Sequence, residues 1–484
     1  MDMLEKANCF IQQNYSNVVN QYRLKYHLMG KYGWINDPNG FIYYKGQYHL
    51  FYQHNPYESI WGPMYWGHAV SSDLIKWEYL PIALAPDKPY DKDGCFSGSA
   101  IEKDEKLYLL YTGHVIYESN GQENYRQTQC LAFSDDGVNF VKYDKNPIIG
   151  IDDIPTGVSK SDIRDPKVFK RGENYYMLLG SNNGHGRGQG VLYTSSDLKE
   201  WKFLNTIGSH RDDMGNNWEC PDLFELEGRY ILIVSLQHFG EGSNSKTHHE
   251  VVYSIGDFDA NTGRFEFKDY HKIDMGFDFY APQTTIDDRG RRLIVAWMNE
   301  WNTEKPTQTL GHNWAGAMTM PREVKLDGDR LCFLPIDDIK KYRKDELSLE
   351  HILLNGVKEL NRGGDCYELD ISFAAKEANI FGVKLRIGSD EETVLSYNTQ
   401  DNLFRFNRDR SGIGPKGERE TRVDLMDGML NLRVFVDKCS VEIFINNGQK
   451  VMTGLIYPSN SSKGIELFSK GECEILSLKK WELM

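Results

Sequence analysis

The 484-residue sequence lacks any apolar run close to the roughly 20 residues that a membrane-spanning helix needs. It also lacks a surplus of basic residues, because 56 Lys and Arg stand against 70 Asp and Glu and the formal net charge is −14. A chain with this charge repels phosphate backbones, and no basic stripe offsets the repulsion. We therefore expect neither a membrane nor a nucleic acid among the partners of this protein.

Cysteine is scarce, and the eight cysteines are scattered without a single CxxC spacing. This pattern argues against a disulfide framework and against a zinc knuckle, so buried free thiols are expected. The first residues, Met1 to Lys6, lack the apolar core of an export signal. We therefore expect residence in the cytoplasm, while the sequence leaves the oligomeric state open.

Apolar and aromatic residues, by contrast, are plentiful, at 40% and 13% of the chain. Such a chain can bury enough surface to offset the entropy lost on folding, which excludes a disordered protein. Its length allows two or three domains with substantial cores.

A short pattern occurs three times at a constant spacing. It contains a Ser-Asp pair, and the aspartates of these pairs, Asp73, Asp135 and Asp197, lie 62 residues apart. In phase with it runs a hairpin of aromatic and β-branched residues, which occurs five times. Strands repeated about every 60 residues are typical of the blades of a β-propeller. We therefore predict an all-β fold in which residues 30–335 form a five-bladed β-propeller. The turns that precede the five hairpin copies are at Gly46, Asp104, Gly172, Gly228 and Gly290.

The remaining chain is expected to form three further parts. Residues 1–29 contain a segment with loose helical periodicity, which should pack on the propeller. Residues 336–349 are charged and are predicted to be a linker with one short helix. Residues 350–484 show alternating strands without the repeat, and this alternation predicts a C-terminal β-sandwich of two antiparallel sheets.

Acidic residues occupy one place in the repeat, 7 to 10 residues before the hairpin turn. Asp37 and Asp165 taken singly fit ordinary Asp-Pro turns, and Glu219 taken singly fits a surface acid. Equivalent positions of a propeller are related by rotation about its axis, so these three acids should converge on one axial pocket. Acids that repel one another at a shared position indicate a function. The aromatic residues expected to flank them are Trp34, Phe96, Trp218 and Tyr280.

Carboxyls beside aromatic faces point to sugar chemistry. A sugar presents C–H groups on its faces and hydroxyls on its edge, and aromatic rings suit the former. Cleavage of a glycosidic bond needs one protonated carboxyl and one ionised carboxyl, and a third can hold hydroxyls. A Ca²⁺ or Mg²⁺ site is the weaker alternative, because no DxDxDG-like ligand loop accompanies the acids. We therefore expect neither a metal nor a cofactor.

Three motifs resemble a known enzyme family. The segments at 34–40 (WINDPNG), 164–166 (RDP) and 218–221 (WECP) are similar to the signature motifs of glycoside hydrolase family 32, the β-fructofuranosidases. The resemblance extends over nearly the whole chain, and it implies a five-bladed propeller followed by a β-sandwich. Ile35 replaces the Met that is usual in the first motif, a change of little volume or polarity.

The resemblance also implies roles for individual residues. By motif, Asp37 corresponds to the nucleophile and Glu219 to the general acid/base. Asp165, with Arg164 beside it, corresponds to a clamp on the fructosyl hydroxyls. Trp301 and Trp314 are weaker candidates for the pocket wall. The residues that similarity suggests for the fructose site are Asn36, Gln53, Trp61, Phe96 and Ser97.

A retaining hydrolase of terminal β-D-fructofuranosides is the implied activity, acting through a covalent fructosyl-enzyme intermediate. The expected substrates are sucrose, sucrose 6-phosphate and short fructo-oligosaccharides. Three alternatives stay open: a fructosyltransferase, a related propeller glycosidase acting on arabinosides or xylosides, and a non-catalytic sugar-binding protein. Recognition of a phosphate would need a cation at the pocket rim, for which Arg187 and the pair His210-Arg211 are the candidates.

Overall fold

The computed structural model describes residues 1–119, 121–209, 211–238 and 248–484. Within these ranges no helix has the length and apolar character that crossing a membrane requires. The chain begins with helix α1 (Met3–Asn14), followed by a 3-10 turn at Tyr15–Asn17. Asp2 caps the helix, because its carboxylate accepts a hydrogen bond from the Glu5 amide. The buried Ala7 packs the helix onto the first sheet of the next domain.

Five sheets of four or five strands follow, and each is built mainly from consecutive antiparallel strands. They form the blades of a five-bladed propeller, as predicted. Blade 1 contains β1 (Gly33–Tyr44), β2 (Gln47–Asn55), β3 (Tyr65–Ser71) and β4 (Glu78–Tyr79). Blade 2 contains β5 (Gly94–Lys103), β6 (Lys106–Ser119), β7 (Gln122–Ser134) and β8 (Val141–Lys142). After a 3-10 turn at Ile151–Asp153, blade 3 contains β9 (Ile163–Arg171), β10 (Asn174–Asn182), β11 (Gly188–Ser195) and β12 (Lys202–Ile207).

The last two blades are less regular. Blade 4 contains β13 (Asn217–Leu226), β14 (Arg229–His238), β15 (His248–Asp259), β16 (Arg264–Glu266) and β17 (Tyr270–Lys272). Blade 5 is built from β18 (Tyr280–Ile286), β19 (Arg292–Trp297), β21 (Arg322–Asp327) and β22 (Arg330–Pro335), and helix α2 (Pro306–Thr309) and strand β20 (Trp314–Ala315) interrupt it.

Strand β20 closes the ring. It pairs in parallel with the start of β1, so that Gly33 lies beside Trp314 and Trp34 beside Ala315. Hydrogen bonds thereby join the segment between the strands of blade 5 to the innermost strand of blade 1.

Every innermost strand carries a β-bulge at the same height. The bulge inserts one extra residue opposite the second strand of the blade, and such insertions are common beside active sites because they redirect side chains. Asp165, Cys220 and Ala281, each followed by a proline, have left-handed φ values of 62°, 44° and 51°. This backbone is strained for residues other than glycine. The bulges lie between Ile35 and Pro38, Phe96 and Gly98, Arg164 and Lys167, Glu219 and Asp222, and Tyr280 and Gln283.

Most of the segment expected to be a linker forms a helix or a strand. A 3-10 helix covers Asp337–Tyr342, and strand β23 (Arg343–Glu359) begins immediately after it. The helix expected within 336–349 is therefore shorter than its charge pattern suggested, because Leu347 and Leu349 alternate along a strand that pairs with the last strand of the chain.

The C-terminal domain is an all-β sandwich, but its two layers belong to one curled sheet of ten strands. The long strand β32 crosses both layers, pairing with β25 in its first half and with β24 in its second. A large apolar core fills the space between the layers. Besides β23, the strands are β24 (Cys366–Ala374), β25 (Ile380–Ile387), β26 (Glu392–Asn398), β27 (Leu403–Arg410), β28 (Glu418–Arg422), β29 (Met429–Asp437), β30 (Ser440–Ile445), β31 (Lys450–Leu455) and β32 (Gly464–Leu483).

Propeller and sandwich meet across a buried group of charges, here called the seam cluster (His27, Asp274, Arg322, Asp437 and Glu442). The two ring nitrogens of His27 lie 2.9 Å from Asp437 and 2.9 Å from Glu442. Arg322 donates to Glu442 at 2.7 Å and to Asp274 at 3.0 Å. Charges buried in a low-dielectric interior need such complete pairing. The seam cluster therefore fixes how the two domains dock.

Candidate active site

An open cavity of about 750 Å³ lies where the innermost strands of the blades converge. Four of these strands supply its floor through the bulged segments described above. The structure places on this wall the nine residues expected to act in catalysis or to line the fructose site: Asn36, Asp37, Gln53, Trp61, Phe96, Ser97, Arg164, Asp165 and Glu219.

Asp37 is held by two uncharged donors. The Ser97 hydroxyl donates to Asp37 Oδ2 at 2.6 Å, and the Asn36 amide donates to Oδ1 at 3.0 Å. Asn36 is itself oriented by the Trp34 indole N–H, which donates to its Oδ1 at 2.9 Å. Burial raises the pKa of Asp37, while these hydrogen bonds oppose the rise. The carboxyl is thus oriented without a cation in contact with it.

Asp165 lies on the bulge of β9 and is almost fully buried. Its Oδ2 accepts a hydrogen bond of 2.9 Å from the Cys220 amide. Burial, opposed by Arg164 and reinforced by the Glu219 and Asp37 carboxyls, raises the pKa of Asp165 to about 7. Near neutral pH this carboxyl therefore exists in both protonation states.

Glu219 faces a different set of partners. Its Oε1 accepts hydrogen bonds from Arg164 Nη2 at 2.9 Å and from Arg164 Nε at 3.3 Å. Its Oε2 accepts one from the Tyr280 hydroxyl at 2.5 Å. A guanidinium in contact favours the ionised form of a carboxyl. Asp37 and Glu219 therefore have different hydrogen-bond donors, uncharged groups for Asp37 and a guanidinium with a hydroxyl for Glu219.

The repeat predicted that the three acids occupy one equivalent position of the blades. The structure shows that they do not. Asp37 and Asp165 directly precede a proline, whereas Glu219 is separated from Pro221 by Cys220. Cys220 takes the bulge position that Asp165 has in blade 3, and its Sγ lies 3.7 Å from Asp37 Oδ2 and 3.6 Å from Asp165 Oδ2. The offset of one residue leaves Glu219 free to face Arg164 and Tyr280 instead.

Aromatic rings form one side of the wall. Trp61, half exposed, meets Phe96 edge to face at 6.2 Å, and His114 stacks on Phe96 at 4.2 Å. Trp301 lies on the wall and packs against Trp297 at 4.8 Å. Rings presented in this way suit the C–H face of a sugar.

Other aromatic expectations were wrong. Trp314 is buried with its indole N–H donating to the Val19 carbonyl at 3.1 Å, so it supports β20 and lies outside the cavity. Trp218 is fully buried, and its N–H donates to the Met214 carbonyl at 2.8 Å. Adjacent residues of a strand point to opposite faces, so Trp218 turns into the blade when Glu219 turns to the cavity.

The expected cationic rim also differs. Arg187 forms an ion pair with Asp212, and Arg211 pairs with Asp213 at 2.6 Å. Neither arginine lines the cavity. His210, the third candidate, lies outside the described residues.

Sequence reasoning missed a wall contributed by blade 2. The hairpin of β6 and β7, with 14 and 13 residues, is much longer than that of β2 and β3, with 9 and 7. Its distal part, here called the arm (residues 115–119 and 121–126), borders the cavity. The Asn-Gly pair at 120 and 121, a common hairpin turn, was the available signal. The missed residues on the wall are His114, Ile116, Glu123, Asn124, Tyr125, Gln127, Asp162, Gln237, His249 and Asn302.

Among the described residues, the cavity acids do not form a metal-binding site. In these ranges no three His, Cys, Asp or Glu side chains are grouped so that they could hold a metal ion. The cavity acids are instead bound by hydrogen bonds to neighbouring side chains and amides.

Comparison with known proteins agrees with the fold. The model of the glycosyl hydrolases family 32 N-terminal domain matches residues 27–335, and that of the C-terminal domain matches residues 338–482. The chain is 35% identical over 476 residues to a sucrose-6-phosphate hydrolase of Bacillus subtilis, which covers 96% of this chain and 94% of that protein. It is 35% identical over 448 residues to a raffinose invertase of Escherichia coli, with 92% and 91% covered.

Solved structures extend this agreement to three dimensions. A family 32 β-fructofuranosidase of Bombyx mori is 33% identical, with a TM-score of 0.85 and with 99% of this chain and 97% of that chain covered. A sucrose-6-phosphate hydrolase of Lactobacillus gasseri is 29% identical, with a TM-score of 0.87 and with 99% and 96% covered. Since both domain models and these relatives match nearly the whole chain, the protein belongs to glycoside hydrolase family 32.

Proposed function

We propose that this protein is a β-fructofuranosidase that cleaves terminal β-D-fructofuranosides with retention, through a covalent fructosyl-enzyme intermediate. The observation that carries the proposal is the contrast between two carboxyls of one cavity. Asp37 is oriented by uncharged donors, whereas Glu219 contacts Arg164 and Tyr280. Retaining cleavage needs two carboxyls in different environments, one to attack and one to exchange a proton.

In the first step Asp37 is the nucleophile. One of its oxygens bonds to the anomeric carbon C2 of the fructosyl unit as the bond from C2 to the glycosidic oxygen breaks. Glu219 donates its proton to that oxygen, which leaves as an alcohol. Ser97 and Asn36 keep the attacking carboxyl oriented. The product of this step is a fructosyl ester of Asp37.

In the second step Glu219, now ionised, takes a proton from a water molecule. The oxygen of that water bonds to C2, and the ester bond to Asp37 breaks. Two successive inversions at C2 restore the original configuration. Arg164 and Tyr280 stabilise the ionised Glu219 while it acts as the base.

We assign to Asp165 the hold on the fructosyl hydroxyls. A carboxyl whose pKa is about 7 can accept a hydrogen bond from one hydroxyl and, when protonated, donate one to another. Its partial protonation also reduces the repulsion between it and the nucleophile. Arg164, next to it in sequence, balances part of the remaining negative charge.

The substrates proposed are sucrose, its 6-phosphate and short fructo-oligosaccharides, because the chemistry is confined to the terminal fructosyl unit. The described wall is acidic, since Glu123 and Asp162 add negative charge and Arg164 already contacts carboxylates. Such a wall repels a phosphate, so we expect sucrose to be cleaved at least as fast as its 6-phosphate. Residence in the cytoplasm stays a prediction from the sequence.

The stereochemical outcome tests the mechanism directly. When sucrose is hydrolysed in an NMR tube, we expect the β anomer of fructofuranose to appear first, before mutarotation mixes the anomers. First appearance of the α anomer would show single displacement by water and would remove the fructosyl-enzyme from the mechanism.

The substrate range is tested by measuring kcat/KM for sucrose, sucrose 6-phosphate and 1-kestose side by side at one salt concentration. We expect sucrose and its 6-phosphate to be within about tenfold of each other, a difference of about 1.4 kcal/mol in transition-state binding. A preference of 100-fold for the phosphorylated sugar would instead identify a dedicated phosphate hydrolase.

A further inference from the structure

Both oxygens of Glu219 accept hydrogen bonds from the protein, and one donor is a guanidinium. Such charge-assisted hydrogen bonds suit the carboxylate that acts as the base of the second step. The first step needs the opposite, a Glu219 that carries a proton. Something must therefore limit how strongly Arg164 acts on Glu219.

Asp162 is placed to do so. Arg164 presents its Nε and Nη2 to Glu219, while its Nη1 lies 3.2 Å from Asp162 Oδ1. The same Nη1 also donates to Gln127 Oε1 at 3.3 Å. One guanidinium is thus shared between two carboxylates on opposite edges.

Asp162 is held in turn by the wall of blade 2. The Tyr125 hydroxyl donates to Asp162 Oδ1 at 2.6 Å. Burial and this hydrogen bond raise the pKa of Tyr125 to about 12, so it remains a donor throughout the neutral range. Tyr125 belongs to the arm, so the arm reaches Glu219 through Asp162 and Arg164.

We propose that Asp162, held by Tyr125, is a positioning residue that draws the Arg164 guanidinium partly away from Glu219 and so keeps Glu219 able to carry the proton it donates. This inference rests on the proposed role of Glu219 as the general acid. Asp162 acts by competing with Glu219 for the guanidinium, since both carboxylates contact it.

Several other ionisable groups lie near Glu219. Burial lowers the pKa of His249 and raises that of Cys220, so both are neutral near pH 7. Asp162 itself faces Arg164 and Tyr125. Among the described residues, the groups that face Glu219 besides Arg164 are the hydroxyls of Tyr280 and Tyr125, the carboxyls of Asp37 and Asp165, the thiol of Cys220 and the ring of His249.

The test is the pH profile of kcat/KM for sucrose, measured at fixed ionic strength with wild type, Asp162→Asn and Tyr125→Phe. In Asp162→Asn, Glu219 is the one carboxylate among the described residues that still contacts the guanidinium, so we expect the basic limb to move about one unit to lower pH. Activity should then fall about tenfold at pH 8 but change little at pH 5. Tyr125→Phe, which alters no charge, should move the limb by a few tenths of a unit in the same direction.

Asp213→Asn is the matched control, because it removes another arginine-paired aspartate of the propeller outside the cavity. Its profile should match wild type. A uniform loss at all pH values, or an unmoved basic limb, in either cavity variant would overturn the inference and leave the proposed function intact. Full sucrose hydrolysis by Glu219→Gln would instead defeat the proposed function itself.

Discussion

The seam cluster and the cavity acids (Asp37, Asp165 and Glu219) are both buried groups of charge, yet they are built differently. In the seam cluster two cations share three carboxylates, and backbone amides, such as those of Lys25 and Met320, fill further acceptor positions. In the cavity one guanidinium, that of Arg164, contacts Glu219 but neither Asp37 nor Asp165. Each carboxylate of the first group therefore contacts a cation, whereas two carboxyls of the second group have no cation in contact among the described residues.

This difference distinguishes buried charges that stabilise the fold from buried acids that take part in the reaction. A paired charge costs stability when its partner is removed, because the survivor is left uncompensated in a low-dielectric interior. An unpaired acid behaves in the opposite way, since its removal relieves repulsion and takes away a reactive group. Substitutions in the two groups should therefore produce opposite combinations of effects on activity and on stability.

The largest effect is expected at Asp37. Replacement by Asn keeps the shape but removes the nucleophile, so kcat/KM for sucrose should fall by about 10⁴-fold or more. The melting temperature should stay equal or rise, because a crowded carboxyl is gone. Asp135→Asn, an exposed aspartate of blade 2, serves as the control with unchanged activity. Substantial sucrose cleavage by purified Asp37→Asn would contradict its assignment as the nucleophile.

Arg322→Met should show the reverse pattern. It leaves Glu442 and Asp274 buried without their shared cation, so the free energy of unfolding should fall by about 3–5 kcal/mol. Urea denaturation measures this loss, and the activity of the remaining folded protein should stay close to wild type. Unchanged stability together with a large drop in kcat would contradict the distinction between the seam cluster and the cavity acids.

The histidine of the seam cluster makes its contribution depend on pH. Hydrogen bonds and charges from Asp437 and Glu442 outweigh burial and raise the pKa of His27 from 6.5 to about 9. Its stabilisation is therefore fully present below pH 6.5 and is lost as the pH rises through 9, a total of about 3 kcal/mol. Urea midpoints at pH 6 and pH 9.5 should reveal the loss in wild type, and His27→Gln should show a flatter dependence. An equally steep dependence in the variant would assign the effect to other groups.

Trp61 should give the smallest effect and test the wall of the cavity. Its ring is 50% exposed, so Trp61→Ala should leave stability nearly unchanged. Loss of the aromatic face that is expected to contact the sugar should raise KM by about tenfold with little change in kcat. Phe203→Ala, 44% exposed on the outer strand β12, is the matched control and should leave both constants alone. Equal effects in the two variants would mean that Trp61 does not contact substrate.

The propeller and its cavity floor were predictable from the sequence because their signals are local and repeated. Each blade repeats a hairpin, and four of the five bulged segments have a proline within a few positions of their functional residues. The same regularity gave a wrong position for Glu219, because a periodic pattern does not show an offset of one residue next to a bulge. Trp218 was misplaced for the same reason, since its direction depends on that offset.

Residues that reach the cavity from outside the repeat were not predictable. Tyr125 and His249 both lie on the third strand of their blades, and only the lengths of particular hairpins bring them to the wall. The division of the sandwich was hidden for a related reason. Alternation along β32 shows which face is buried, but it does not show that one strand joins both layers.

The short pairing of β20 with β1 affects when the enzyme becomes active during refolding. Gly33 and Trp314 are separated by most of the propeller, so their contact closes a very long loop, and such contacts form slowly because of the chain entropy that they cost. Asp37 lies on the strand that this contact secures. Secondary structure in the separate blades should therefore return early, and sucrose cleavage should return in a later phase set by closure of the ring.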